Sequence, residues 1–278
     1  MATSPATTID EVIVQLEAII AECSDRGERF GYFPALYNRV TITVRDGVRR
    51  GEFDDNARME KLDVIFANRY IEAYRAYRAG DVPTRSWLLS FEACKRDDLC
   101  VLQHLFLGMN AHIHLDLGIA AGRVAPGVSI KGLERDFNKI NEVLASLVPT
   151  VEEELEAISP HFKSMLFLAR KEEEKLANFS MGAARMDAWH FATRIANAND
   201  GEAAVIADRD GTTHGMGELF LHLGPMAMWL KSGESKDVRA NIAQLASGEF
   251  DLRALVQSLH APSTLTEQAE SNPARAMQ

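Results

Sequence analysis

The sequence contains few cysteines and no excess of basic residues. Only three of its 278 residues are cysteine, and no two of them form a Cys-x-x-Cys pair. Such sparse cysteines argue against a disulfide framework or a structural zinc site and predict a cytoplasmic protein. Lys and Arg number 30 against 40 Asp and Glu, which gives a net charge of −10. This balance argues against non-specific nucleic-acid binding and against a polybasic membrane-surface protein.

Long apolar runs and familiar catalytic motifs are also lacking. Residues 1–8 have neither the basic start nor the apolar run of a signal peptide. The most apolar stretch, residues 99–115, contains too many polar side chains for a lipid-facing span. The chain has no Gly-x-Gly-x-x-Gly, Walker-type loop, Gly-x-Ser-x-Gly or His-Glu-x-x-His motif. We therefore expect a soluble, cytoplasmic protein whose partner is a small-molecule substrate, without nucleic-acid or membrane partners.

Helical periodicity dominates what is present. Apolar residues recur at three- and four-residue steps in most segments, for example from Ile130 to Ile158. Asp55 is a predicted helix N-cap, and Gly122 is expected where a helix ends. The sequence thus predicts an all-α fold: a single, helical-bundle-like domain of about eight to ten helices over residues 1–260. A disordered tail is expected over residues 261–278.

The segment 98–121 is the one place where ionisable groups crowd an otherwise apolar predicted helix. Buried polar groups cost free energy unless they are satisfied. At about 100° per residue, His104, Gly108, His112 and Asp116 share one side of this helix. His112 and Asp116 are separated by about 6 Å along the axis, near enough to bind one divalent metal ion, zinc or iron. His104, about 12 Å from His112, is predicted to be a catalytic acid or base, or a ligand of a second ion.

Other residues complete the predicted site. Asp63 is expected to be a half-buried acid that reaches the central helix and acts in catalysis, although a structural salt bridge to an arginine explains it equally well. Asp136 is a further candidate metal ligand, with solvent exposure as its alternative. The predicted pocket residues are Gly108, Gln103, Asn110 and Tyr70. Gly108 leaves room either for a ligand or for a close helix crossing. His114 is left out because it points about 160° away from His112.

A second possible metal site lies in the C-terminal half. If the segment is helical, three side chains form a stripe at successive turns: His214, Glu218 and His222. Gly215 and Gly217 weaken the start of such a helix, and the stretch 197–211 predicts a loop at each end. The alternative is that His222 simply ends a helix.

The central segment also resembles a known family. The likeness is carried by three runs: Val101-Leu-Gln-His104, Leu107-Gly-Met-Asn-Ala-His112 and Leu115-Asp-Leu-Gly-Ile-Ala120. These runs resemble the signature of domain-of-unknown-function family 5995, a bacterial family. The likeness is clear from Phe33 to Leu147, and His114 departs from the family pattern, which usually has Asn there. The resemblance implies an α-helical fold and favours a polar centre of His104, His112, Asp116 and Asp63, but it implies no reaction.

Three functions remain open at this point. The first is a metal-dependent hydrolase, in which His112 and Asp116 bind the metal ion and a metal-bound water is the nucleophile. The second is a non-haem iron oxidase or oxygenase, since two histidines and a carboxylate also suit iron. The third is a metal-free small-molecule-binding or scaffold protein with a buried polar network. The apolar segment 219–230 is compatible with a homo-oligomer and equally with ordinary core.

Overall fold

The computed structural model describes residues 4–165 and 181–247, and these fold into eleven α-helices without a strand. The N-terminal helices are α1 (Ile9–Arg26), α2 (Tyr32–Arg49), α3 (Asn56–Ala79) and α4 (Arg85–Cys94). The central ones are α5 (Val101–Met109), α6 (Leu117–Val124) and α7 (Glu134–Ile158). The last are α8 (Met181–Ala196), α9 (Glu202–Leu221), α10 (Pro225–Gly233) and α11 (Val238–Ala246). The all-α prediction is confirmed.

All described residues belong to one compact unit, residues 1–248. The predicted domain end at residue 260 and the predicted tail, 261–278, lie outside the described residues. Within the described ranges, no helix is long and apolar enough to cross a membrane.

Several helix ends follow directly from the local sequence. The Asp55 carboxylate accepts a hydrogen bond from the Arg58 backbone N–H and caps α3, as predicted. Helix α3 ends at Gly80, whose φ of 90° is a left-handed conformation that glycine adopts without strain. The N-terminus of α4 is capped by a residue that is distant in the sequence, because Asp210 accepts hydrogen bonds from the backbone N–H groups of Arg85 and Ser86. Only caps within one segment can be read from the sequence.

Helices α5 and α6 form one continuous rod because a π-helical turn, Asn110–Asp116, joins them. At its end the Leu117 backbone N–H donates to the carbonyl of His112, five residues earlier. The rod is almost entirely buried, and helices α2, α3, α4, α8 and α9 pack around it. This turn places the polar side chains of the rod among those helices.

Helix α6 packs unusually close to α8. A Cβ at Gly118 would lie 3.0 Å from the carbonyl oxygen of Ala188, and one at Gly122 would lie 2.8 Å from that of Ala192. The prediction that a helix ends at Gly122 is therefore wrong: α6 continues to Val124, and the glycine allows the neighbouring backbone to approach.

The C-terminal half is more helical than its composition predicts. Helix α9 runs through residues 208–211, where a loop was expected, because Asp210 and Thr213 are buried. A Cβ at Gly217 would lie 2.8 Å from the Leu89 side chain, so this glycine also serves close packing. Packing against α4 and the rod thus overrides the weak helix propensity of the glycines.

Candidate active site

A cavity of about 100 Å³ lies between α2, α3, the central rod, α7 and α8. A single water occupies roughly 10–15 Å³ on this measure, so the cavity can hold a small organic molecule. Most of its wall is apolar and includes Val40, Leu62, Phe66, Ile140 and Leu144. Four polar side chains line it as well: Tyr37, Asp63, His112 and Arg185. An apolar pocket with a few polar groups is the usual form of a small-molecule site.

The His112 ring connects the cavity to Asp116 behind it. Its Nδ1 lies 3.3 Å from Oδ2 of Asp116, and both residues are buried. Its Nε2 is buried and has no hydrogen-bond partner within the described part of the chain. A neutral imidazole carries one proton. Since a carboxylate only accepts, the proton belongs on Nδ1, and Nε2 is left as a free acceptor on a ring that lines the cavity.

Two further donors hold the Asp116 carboxylate. Trp87 Nε1 donates to Oδ2 at 2.8 Å, and Arg69 Nε donates to Oδ1 at 2.9 Å. Both carboxylate oxygens are therefore occupied within the protein. Asp116 does not line the cavity, and its function in this arrangement is to orient His112.

Aromatic rings enclose the His112 imidazole. The Phe66 ring stacks on it with centroids 3.6 Å apart, and Tyr37 meets it edge-on at 4.4 Å. Burial lowers the pKa of His112, because a charged imidazolium would lose its hydration there, and the hydrogen bond to Asp116 only partly counters this effect. The ring is thus kept neutral and available as a base near neutral pH.

Asp63 supplies an acid in the same cavity. It is 7% exposed, and its Oδ2 has no partner among the described residues. Burial, with a smaller contribution from the charge of Glu60, raises the pKa of Asp63 to about 8. At pH 7 this carboxyl group is therefore mostly protonated and can donate a hydrogen bond. The Tyr37 hydroxyl, whose pKa is raised mainly by burial, is a second neutral donor.

The predicted catalytic role of His104 in this cavity does not fit the geometry. His104 lines a separate, water-sized cavity of about 10 Å³, together with Tyr70 and Trp87. Burial lowers the pKa of His104 to about 3, and neither ring nitrogen has a described partner. The separation follows from distance along the rod, because His104 lies eight residues, or about 12 Å, before His112.

The predicted pocket residues have structural roles. A Cβ at Gly108 would lie 2.6 Å from the Phe33 ring, so this glycine provides room for helix packing and none for a ligand. Gln103 accepts from the Cys100 backbone N–H and donates to the carbonyl of Phe220. Asn110 donates to the carbonyl of Thr213, and Tyr70 belongs to the aromatic core. None of these four lines the cavity of His112.

The predicted metal ligands do not come together in one group. Asp136 accepts hydrogen bonds from the backbone N–H groups of Asp54 and Asp55, so it fixes the start of α3. The predicted second site does not form a buried cluster: His214 is half-buried on α9, whereas Glu218 and His222, the residue after the end of α9, are exposed. Over 4–165 and 181–247, no group of three or more His, Cys, Asp or Glu side chains could hold a metal ion.

Sequence reasoning identified Asp63 on α3 but missed two residues that other helices contribute to the site, Tyr37 and Arg185. Tyr37 lies in an apolar stripe of α2 with Phe33, Val40 and Val44, where it resembles ordinary core. Arg185 stands on α8 between buried alanines, and this isolated charge on an apolar face was a usable signal.

The fold and cavity define an all-α protein with a histidine–aspartate pair beside an apolar pocket. A family model described as a family of unknown function, DUF5995, matches residues 9–223. The chain therefore belongs to this family, and the expected resemblance is confirmed. Comparison with curated proteins and with solved structures gave no match.

Proposed function

We propose that this chain is an enzyme that binds a small, largely apolar substrate in the cavity and removes a proton from it with His112. The observation that carries the proposal is the His112 ring, which lines the cavity, contacts Asp116 with one nitrogen and leaves the other without a partner among the described residues. A general base needs an available lone pair, a pKa near or below the working pH, and a fixed orientation.

The surroundings of His112 fix the orientation of its ring. Asp116 accepts from Nδ1, and Trp87 and Arg69 hold Asp116 in place. When Nε2 takes a proton, the nearby carboxylate stabilises the resulting imidazolium, as in the histidine–aspartate pairs of other enzymes. The low-polarity wall strengthens this interaction because little water screens it.

Asp63 and Tyr37 supply the complementary acid function. A substrate that loses a proton to His112 develops negative charge elsewhere, and a neutral carboxyl or phenol can donate a hydrogen bond to it. Asp63 suits this role because it is mostly protonated at pH 7. Two titratable groups with pKa values displaced in opposite directions are typical of acid–base sites.

The test uses 5-nitro-1,2-benzisoxazole, a neutral aromatic probe. A base that removes its C3 proton breaks the N–O bond and gives a coloured nitrile phenolate. We expect the protein to accelerate this reaction at pH 7. The His112→Phe variant should lower the rate by about 100-fold or more, the typical contribution of a positioned base. Asp116→Asn should also lower it, because an amide permits the proton to lie on Nε2.

His114→Phe is the matched control. His114 lies two residues further along the same turn and is also buried, but its Nδ1 contacts Asp187 and it does not line the cavity. The rate should stay unchanged in this variant. Equal rates in wild type and His112→Phe would overturn the assignment of the base.

A metal-dependent hydrolase or a non-haem iron enzyme remains a second proposal. Its support is that His112 and Asp63 both line one cavity and each has a buried atom without a described partner. Asp116 does not fit as the predicted ligand, because Trp87 and Arg69 occupy its oxygens. Elemental analysis of protein purified without a chelating tag tests this proposal: stoichiometric zinc or iron, lost in His112→Phe and in Asp63→Asn, would favour it over metal-free proton transfer.

A further inference from the structure

Arg185 brings a buried positive charge to the cavity. It is 4% exposed and lines the cavity from α8. Its Nε donates to Oδ1 of Asn141 at 2.6 Å, and its Nη2 donates to the carbonyl of Phe137 at 2.5 Å. Its guanidinium carbon lies 4.5 Å from the centroid of the Phe137 ring. All three partners are neutral.

No carboxylate among the described residues forms an ion pair with Arg185, whereas the other buried arginine, Arg39, is paired with Glu154. Burial lowers the pKa of Arg185 to about 9, so the group still carries its charge at pH 7. Asp63, the acid of the same cavity, is mostly neutral at that pH. The cavity therefore holds an excess of positive charge, which is costly without a counterion.

We propose that the ligand of this cavity is a carboxylate on a short apolar body, with its carboxylate bound by Arg185. A guanidinium has five N–H donors arranged as a fork that matches a carboxylate. Arg185 directs Nε and Nη2 to described partners, which leaves further N–H donors of the fork for a ligand. The apolar walls accommodate the rest of the molecule. The inference rests on the proposed function for the place of the substrate and names its chemical class.

A carboxylate suits the cavity better than a phosphate. Among the residues that the structure describes, Arg185 is the only cationic side chain in the lining, and the remaining lining is mostly apolar. A phosphate dianion would bring more charge than one arginine neutralises, and it would leave oxygen atoms against the aliphatic wall. A cavity of about 100 Å³ favours a body of roughly ten non-hydrogen atoms.

The test compares octanoate with 1-octanol, which have the same chain length and differ in the charged group. Isothermal titration calorimetry at pH 7.5 measures the affinity of both for wild type, Arg185→Met and Arg185→Lys. We expect wild type to bind octanoate at least tenfold more tightly than octanol. Arg185→Met should remove that preference and leave octanol binding within about twofold. Arg185→Lys should keep part of it, because the charge remains but the fork is lost.

Arg194→Met is the matched control, since Arg194 lies on the same helix but is largely exposed and paired with Asp208. It should bind both probes as wild type does. Equal affinity of wild type for octanoate and octanol would overturn the inference that the ligand is a carboxylate, but it would still support the apolar pocket as a binding site. Binding of neither probe would overturn the pocket and the proposed function together. If Arg185→Met does not fold, the wild-type preference and its reduction in Arg185→Lys decide the question.

Discussion

The two histidines of the π turn stand in contrasting surroundings. His112 and His114 are 2% and 5% exposed and lie two residues apart. Nδ1 of His114 lies 3.0 Å from Asp187, and Arg209 donates to both the His114 carbonyl and Asp187. The group around His114 is thus closed by internal partners. His112 contacts Asp116 with one nitrogen only; the other has no described partner, and the ring lines an apolar cavity.

This difference separates a structural histidine from a candidate catalytic one. Folded proteins satisfy nearly all of their buried polar groups, because an unsatisfied one costs about 1–3 kcal/mol. His112 is an exception that shares its cavity with a neutral carboxyl group and with a guanidinium without a described counterion, and we propose that a ligand completes these contacts. Three helices besides the rod contribute polar side chains to this cavity: Tyr37 from α2, Asp63 from α3 and Arg185 from α8.

The largest expected effect comes from removing Asp116, the aspartate behind His112, and the same change at Asp187, behind His114, is the comparison. Asp116→Ala leaves Arg69, Trp87 and His112 without their common acceptor, so we expect the free energy of unfolding to fall by about 3–5 kcal/mol. Asp187→Ala should cost about 1 kcal/mol or less, because Asp187 is 45% exposed and its pair with Arg209 is open to solvent. Urea denaturation followed by circular dichroism measures both.

Similar losses of unfolding free energy in the two alanine variants would contradict the contrast between a buried and a surface carboxylate. Asp116→Asn is the shape-matched comparison. It should cost less than Asp116→Ala, since the amide oxygen still accepts from Trp87 or Arg69.

A smaller and pH-dependent effect is expected at Asp63. Folding raises the pKa of this carboxyl group from its ordinary value of 3.8 to about 8. Below pH 3.8 both states hold the proton, and between the two values only the unfolded state releases it. Stability contributed by this group is therefore lost as the pH rises from about 4 to about 8, by up to about 1.4 kcal/mol per pH unit. Asp63→Asn removes the loss and should make the protein more stable than wild type at pH 7, by on the order of 3 kcal/mol.

Urea midpoints at pH 4, 5, 6 and 7 test this expectation, because the difference between wild type and Asp63→Asn should grow along the series. Glu72→Gln is the control, an exposed acid on the same helix, and its difference from wild type should stay constant. A constant difference for Asp63→Asn as well would mean that Asp63 ionises normally in the folded protein.

The sequence predicted the residues that interact along one helix better than those that meet between helices. The pair His112 and Asp116 was found because four-residue spacing makes neighbours on a helix, and the cap at Asp55 was found because it acts within three residues. His104 shares their side of the rod but lies about 12 Å from His112 along the axis, and it lines a different cavity. Asp136 was misread because its partners are backbone groups of another segment, and Gln103 because one of its partners, the Phe220 carbonyl, lies on another helix. Tyr37 enters the site only when α2 packs, which no local pattern encodes, whereas Arg185 was marked locally by its isolated charge on an apolar face of α8.

The smallest expected effect on stability comes from His112→Phe. Phenylalanine keeps the stacking on Phe66 and removes a buried nitrogen that has no described partner. Asp116 loses a hydrogen bond of 3.3 Å but keeps the shorter ones from Trp87 and Arg69. Gain and loss nearly offset, so we expect the free energy of unfolding to change by about 1 kcal/mol or less. Thermal and urea unfolding, measured together with the benzisoxazole assay, test whether His112→Phe keeps the stability of the wild type and loses the reaction rate. A large loss of stability would instead mean that His112, like His114, has a structural role. A residue kept for function can usually be replaced without a large loss of stability.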